Sequence, residues 1–464
     1  MSAAHTIRGW VVPEGLPEPE VAEMEVAGWT VRHPDGDADW IGRVARRVRR
    51  GASALRSLPA DELVGILGSV GVRFLDPSDP LRREALDALP ATAGVSPEMA
   101  QEILDGMADD WTQDRLRSAL EADVGSLEAL DGTVRMSRSR TRALGPQLSV
   151  QVVSGSVPGV GATALLRSLL VKGPTLVKPG RGDVVLPVLM ARELARLHPV
   201  LEEALAVVYW PGGRTSWEDA SLAAADVAVA YGSDASVKAL RDRTPVTTRF
   251  IGYHHRVSLG MVGRGALSDE RVETTAGEVA RAVALFDQRG CVSPQVIYVE
   301  RGGARSPEQF AREVAAALAE LEEHLPSGRL DPDEASTLQQ IRGTAELLEG
   351  AGEGEVYFDP GATWTVLHEE DPDFTTTCVG RVVRVKPVDD LTEVPELLAP
   401  VRRHLQTVGL AGGGTRLEAL VEALGRVGAT RVAAFSEVPF PPAAWRHDGR
   451  GPLAVFLRWV DVEG

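Results

Sequence analysis

One of only two cysteines in the chain, Cys291, stands in the stretch Phe286-Asp287-Gln288-Arg289-Gly290-Cys291-Val292-Ser293-Pro294-Gln295, between a helical pattern and the apolar run Val296 to Val299. A thiol on a short polar turn can be reached by substrate, and nearby backbone N–H dipoles favour its nucleophilic thiolate. Free cysteines are more often small buried hydrophobes. Exposure of Cys291 therefore decides between the two roles. Upstream, Gly159-Val160-Gly161-Ala162-Thr163-Ala164 fits G-x-G-x-x-A after a strand, with Asp183 near the spacing of a ribose-binding acid. Gly232-Ser233 also opens a helix, and its N–H groups suit a pyrophosphate equally well. Pattern alone leaves open which loop holds phosphates. The nine histidines show no H-x-x-x-H or Cys/His ligand spacing, so no metal is expected.

These residues need elements to place them. From Asp39 to about Leu130 the apolar spacing is helical, with Ile41, Val44, Ala45, Val48, Ala52 and Leu55 on one face. Ser96-Pro97-Glu98 has the serine cap, early proline and early acid of a helix start. From Leu148 short apolar runs alternate with amphipathic helices: Val150 to Val153, Leu176 to Lys178, Ala206 to Tyr209 and Val227 to Tyr231. That alternation predicts a parallel sheet covered on both faces, with ligands at the carboxyl ends of its strands. After Ser258 to Val262, a helix from about Asp269 to Phe286 leads into the cysteine turn. A second α/β stretch follows, with strands at Gln295 to Val299 and Arg381 to Pro387, and the chain closes on a strand pattern at Leu453 to Val460.

Composition narrows the class. With 464 residues two or three lobes are expected. The net charge of −17 opposes nucleic-acid binding, which needs a positive surface. Local cation clusters do occur, at Arg46, Arg47, Arg49 and Arg50 on a helical pattern, and at Arg135, Arg138, Arg140 and Arg142 on a candidate edge strand. Cys291 and Cys378 cannot build a disulfide framework. No apolar run approaches a membrane span, and Met1 to Gly15 lacks the order of a signal peptide. A cytoplasmic protein with no integral membrane association is expected.

Several segments together resemble the aldehyde dehydrogenase superfamily, and more narrowly the long-chain acyl-CoA reductases, the fatty-acid reductase component of bacterial bioluminescence and its relatives. They are Ser154-Gly155-Ser156-Val157-Pro158-Gly159-Val160, Val207-Val208-Tyr209-Trp210, the cysteine turn, Arg381-Val382-Val383-Arg384-Val385-Lys386-Pro387, and His447-Asp448-Gly449 followed by Arg458-Trp459-Val460. The resemblance implies two doubly wound α/β lobes with a helical N-terminal part and a C-terminal strand segment. The expected division is residues 1–262 (helical part and cofactor lobe), 263–432 (catalytic lobe) and 433–464, a segment returning to the first lobe or to an oligomer interface. In such enzymes the two lobes face each other across a cleft holding the cysteine.

The same resemblance implies residue roles. Lys178 matches the lysine that bonds the adenosine ribose, and Gly232 and Ser233 match the turn opening the helix beneath the cofactor. Arg181 stands where NAD-preferring members often carry an acid, which favours NADPH because an arginine can pair with a 2′-phosphate. Ser156 replaces the usual oxyanion asparagine, and His447 is a candidate for the substrate side. Between Phe250 and Arg264 there is no Asp or Glu to activate water, so an acyl-Cys291 would survive for hydride transfer, with His254 and His255 the nearby titratable side chains. The expected reaction is NADPH-dependent reduction of an acyl thioester, on coenzyme A or an acyl carrier, to an aldehyde. Oxidation of an aldehyde to an acid and a non-catalytic, carrier-binding role are the alternatives. An acyl-activating ligase and further copies of the chain in a homo-oligomer are the expected partners.

Overall fold

The computed structural model describes residues 5–136, 139–377 and 380–463; Arg138 and Cys378 lie outside them. Two compact units are present. The first comprises residues 1–93, 100–254 and 442–464, and the second comprises 94–99 and 255–441. The chain thus passes between units at His254/His255 and Pro441/Pro442, whereas the sequence patterns change near 262 and 432. The difference lies in the strand Val257–Val262, which pairs on both sides with strands of the second unit, Pro294–Glu300 and Leu405–Ala411.

The first unit is built on a six-stranded sheet in the order Arg249–Tyr253, Val227–Tyr231, Ser149–Val152, Thr175–Lys178, Leu205–Val208, Trp10–Val11. All neighbours are parallel except the last pair. Thr175–Lys178 and Leu205–Val208 are buried at every position, as a sheet covered on both faces requires. Helices Val160–Leu170 and Val185–Leu197 form the crossovers, and Ala38–Arg50 packs Trp40, Ile41, Val44 and Val48 into the same core as Leu176, Val208 and Trp217. Asp37 caps that last helix and three arginines occupy its final turn, each sign where the helix dipole favours it. Two of the clustered arginines there are paired, Arg47 with Glu203 and Arg49 with Asp226.

Two small sheets complete this unit. His5–Arg8, Trp29–Asp35 and Glu20–Val26 form one. Ser139–Leu144 forms the other, lying between Arg458–Val462 and Val134–Met136, so Arg140 and Arg142 stand on a central strand and Arg135 on an edge strand. On one side the central strand's hydrogen bonds come from the C-terminal strand, whose sequence lies more than three hundred residues away.

The second unit carries a seven-stranded sheet in the order Gly354–Phe358, Thr365–Glu369, Val382–Val388, Pro294–Glu300, Val257–Val262, Leu405–Ala411, Arg431–Ala433, parallel apart from the first pair. Leu259, Met261, Val296, Tyr298, Leu405 and Val408 form its core with the helix Leu417–Val427. The Ser306 and Asp331 capping boxes start the helices Pro307–His324 and Pro332–Ala351. No helix among the described residues is long and apolar enough to cross a membrane.

Candidate active site

Cys291 is exposed, which favours the nucleophilic role over that of a buried hydrophobe. It follows the helix Val272–Ala284 and precedes the strand Pro294–Glu300, at the amino-terminal edge of the second unit's parallel strands. The turn that presents it is strained. Phe286, Asp287 and Gln288 all have positive φ, at 58°, 48° and 62°, a region that costs L residues about 1–2 kcal/mol each. The surrounding structure holds them there. Asp287 is buried and accepts from Arg381 Nε and Nη2 at 3.1 and 2.9 Å, and from Gly328 N at 3.1 Å. Arg381, fully buried, also donates to Glu322 at 2.7 Å and to the Leu325 carbonyl at 2.9 Å.

Gln288 acts as a substitute peptide group. Its side-chain oxygen accepts from Val382 N at 2.8 Å while its Nε2 donates to the carbonyls of Val382 and Pro294 at 2.6 and 2.9 Å. Phe286 meets Phe440 edge-on at 5.3 Å. The Ser258 hydroxyl donates to the Cys291 carbonyl at 2.7 Å and accepts from Thr407 N at 3.2 Å. Every one of these contacts fixes the backbone and leaves the sulfur outside.

Strand register brings a cation to the same edge. Thr407 pairs with Arg431, the first residue of its strand, and Thr407 is in turn bonded to Ser258. Burial pulls the Arg431 guanidinium below its usual range, opposed by the charges of Glu437 and Cys291. A guanidinium within the field of a thiol favours its thiolate. The same edge holds His404, whose Nδ1 lies 3.1 Å from the His255 carbonyl, and Arg256, which donates to the Arg403 carbonyl at 3.0 Å. Neither Arg431 nor Ser258 stands in a recognisable motif; only strand pairing collects them.

The first unit places the cofactor candidates. Lys178 ends its strand with only 8% of its surface exposed, and burial lowers its pKa. Among the described residues its ammonium makes no ion pair or hydrogen bond, and it lies 5.9 Å from the centre of the Tyr209 ring. Arg181 is exposed, and its charge acts on the Tyr209 hydroxyl. Lys178 and Arg181 therefore share one neighbour, Tyr209. A nearly buried, unpartnered ammonium beside an exposed guanidinium fits a phosphorylated ribose. Gly155 and Gly180 let the Ser156 loop cross the Arg181 loop backbone to backbone, since a Cβ on Gly180 would lie 2.2 Å from Gly155 N. Ser156 is exposed, with its hydroxyl 2.9 Å from that of Ser154.

The two helix starts differ in a way the pattern does not reveal. Asp183, fully buried, accepts from Gly159 N at 2.7 Å and Gly161 N at 2.6 Å, so the G-x-G-x-x-A turn is capped by the chain's own carboxyl. Burial pushes that carboxyl up to about 8 against both bonds. Gly232 and Ser233 open the helix Asp234–Arg243, where Ser233 Oγ accepts from Ser236 N at 3.3 Å. His447 is buried in the first unit, stacked between Tyr253 at 4.3 Å and Trp445 at 4.6 Å, with Tyr231 to the side, 4.7 Å from Tyr253 and 6.1 Å from His447. Both its faces are covered, so only its edge is offered to a ligand. His254 lies 3.5 Å from Asp234.

Residues 55–459 match the acyl-CoA reductase (LuxC) family. The chain is 24% identical over 421 residues to a long-chain acyl-protein thioester reductase of Aliivibrio fischeri, covering 88% of this chain and 83% of the relative. It is 22% identical over 461 residues to that of Photobacterium phosphoreum, covering 96% and 88%. Among solved structures, an aldehyde dehydrogenase of Physcomitrella patens superposes with a TM-score of 0.77 at 13% identity, covering 99% and 98% of the two chains. An NAD-dependent aldehyde dehydrogenase of Burkholderia multivorans gives 0.71 at 18%, covering 98% and 89%. The fold is that of the aldehyde dehydrogenases.

Proposed function

The chain belongs to the acyl-CoA reductase (LuxC) family, and from that premise we propose that it reduces a fatty acyl thioester to the aldehyde, with Cys291 carrying the acyl group. The exposed thiol on a turn pinned by Asp287, Gln288 and Ser258 is the observation that carries this reading. The Cys291 thiolate attacks the thioester carbonyl, the carrier leaves as its thiolate and takes a proton from solvent, and an acyl-cysteine remains. NADPH, held by Lys178 and Arg181, would supply the hydride. The tetrahedral adduct then on Cys291 expels the thiolate and releases the aldehyde.

Negative charge builds on the carbonyl oxygen in both half-reactions, so donors aimed at it each lower the barrier by about 3 kcal/mol. The Cys291 N–H and the Ser156 hydroxyl are assigned that role. Arg431 holds the sulfur anionic before attack and after release. In the stretch from Phe250 to Arg264 the imidazoles are His254, close to Asp234, and His255. Neither is a carboxylate base, which supports survival of the acyl-cysteine until reduction.

Lys178 and Arg181 are proposed to hold the ribose of NADPH, Arg181 through the 2′-phosphate, and Gly232 and Ser233 to support the pyrophosphate. The edge of His447 is assigned to the substrate side. The acyl donor is proposed to be acyl-CoA or an acylated protein, including an acyl-activating ligase, in the cytoplasm where reduced cofactor is regenerated. The strand Arg458–Val462 is exposed at all five positions, and Trp459, Val460 and Val462 on it support a homo-oligomer. Incubation with a series of acyl-CoAs and NADPH tests the reaction. Aldehyde formed in step with NADPH oxidation is expected, and acid formed from added aldehyde without any thioester reduction would overturn it.

A further inference from the structure

At the amino-terminal end of the strand that Lys178 terminates, the entering segment carries Lys172, 2% exposed and left-handed with φ 59°. Strained backbone at a buried cation marks a position the surroundings over-determine. Its ammonium is paired with Asp131 and donates to the Arg56 carbonyl at 3.2 Å. Asp131 also accepts from Ala60 N at 3.1 and 3.2 Å, at the start of the helix Ala60–Leu75. This carboxylate is therefore already matched by a lysine and a helix start.

Asp131 forms one wall of a cavity of about 470 Å³ whose other lining residues are Ser53, Arg56, Ser57, Pro59 and Arg142. Among the described residues, neither Arg56 nor Arg142 makes an ion pair or a side-chain hydrogen bond, and the Nε of each is buried without a partner. On a chain with 66 acidic residues against 49 basic ones, two unpaired guanidiniums facing one cavity stand out. Like charges brought together repel, and a shared anion removes that cost. The two come from separate elements, the helix Ala52–Ser57 and the strand Ser139–Leu144. A ligand with several acceptor oxygens can meet both.

We propose that this cavity is a binding site for a small phosphate monoester, with Arg56 and Arg142 as the anion ligands and Ser53 as a hydroxyl donor. Guanidiniums suit phosphate because their forked donors match its oxygens. Ser57 is less available, since its hydroxyl donates to the Ser53 carbonyl at 3.1 Å. The volume exceeds that of a bare phosphate ion, which leaves room for a small organic group. Such a ligand would tie the helical layer to the three-stranded sheet at the end of the unit opposite Lys178.

The test uses the full chain, titrated with glycerol phosphate, inorganic phosphate and acetate at constant ionic strength, read by calorimetry and by thermal unfolding. Both phosphates are expected to bind and raise Tm, the ester more tightly, with acetate giving neither effect. Arg56→Gln and Arg142→Gln are each expected to weaken binding on the order of tenfold. Ser53→Glu, which places a carboxylate in the cavity, is expected to raise Tm unaided and to abolish the response to phosphate. A response that survives in both arginine variants, or that acetate reproduces, overturns the assignment. Binding of poly-glutamate with no response to either phosphate also overturns it, in favour of an acidic protein surface as the occupant.

Discussion

Replacing Arg381 by methionine is the sharpest test of how the cysteine turn is held. Arg381 is fully buried and its Asp287 partner nearly so, with side-chain exposures of 0% and 4% and a contact of 2.9 Å. At an effective dielectric constant of 20, opposite charges about 4 Å apart attract by about 4 kcal/mol. Removing one partner of a buried pair costs about 3–5 kcal/mol, because the other charge stays desolvated. Asp287 keeps the Gly328 N–H and a longer contact of 3.9 Å to Arg289, whose guanidinium is already bonded to Glu334, while Glu322, more exposed at 22%, can turn to water. Arg381→Met should therefore destabilise the protein by about 4 kcal/mol in urea unfolding. The triple variant Arg381→Met, Asp287→Asn, Glu322→Gln should recover most of that loss, since no charge is then left buried alone. The left-handed residues 286–288 would relax in the single variant, slowing acylation of Cys291. A cost below about 1 kcal/mol, or three effects that simply add, would refute the assignment of this network as the clamp on the turn.

Other positions make separate predictions. Arg431→Met should shift the pH profile of iodoacetamide labelling at Cys291 upward by about one unit, with Arg431→Lys shifting it less; an unmoved profile would remove Arg431 from the site. Arg181→Glu should lower the preference for NADPH over NADH by roughly tenfold or more in kcat/KM, and a preference unchanged by the swap would place the 2′-phosphate elsewhere. Asp183, with an ordinary value of 3.8 raised to about 8 by burial, keeps its proton in the native state where the unfolded chain has lost it. Its contribution is full below pH 3.8 and is lost as pH rises through about 8, so Asp183→Asn should flatten that decline in stability. A slope that persists in the variant would mean that other groups cause it.

Much of the parallel framework was legible because both faces of its strands are apolar. Val227–Tyr231 and Val257–Val262 fall on the apolar runs that mark them. The N-terminal sheet was not legible, because Glu20–Val26 has no buried position and alternates acids with small apolar residues. The strands Leu405–Ala411 and Arg431–Ala433 are illegible for another reason: a glycine and a threonine interrupt the first, and the second is three residues long. No pattern along the chain marks Arg431, whose neighbourhood to Cys291 exists only through strand order. In the first unit, Asp183 looked like a ribose-binding acid at the right spacing, yet its carboxyl turns back onto Gly159 and Gly161. Spacing records the distance along the chain, and burial decides which way the side chain faces.

The central claim is that Cys291 takes the acyl group before any reductant acts. Intact-mass and peptide-mass spectra of the protein incubated with a panel of acyl-CoAs in the absence of NADPH address it most directly. An acyl adduct confined to the peptide containing Cys291, absent in Cys291→Ala and discharged as aldehyde on adding NADPH, is the predicted result. Aldehyde production by Cys291→Ala at the wild-type rate, or an adduct on another residue that turns over, would contradict it.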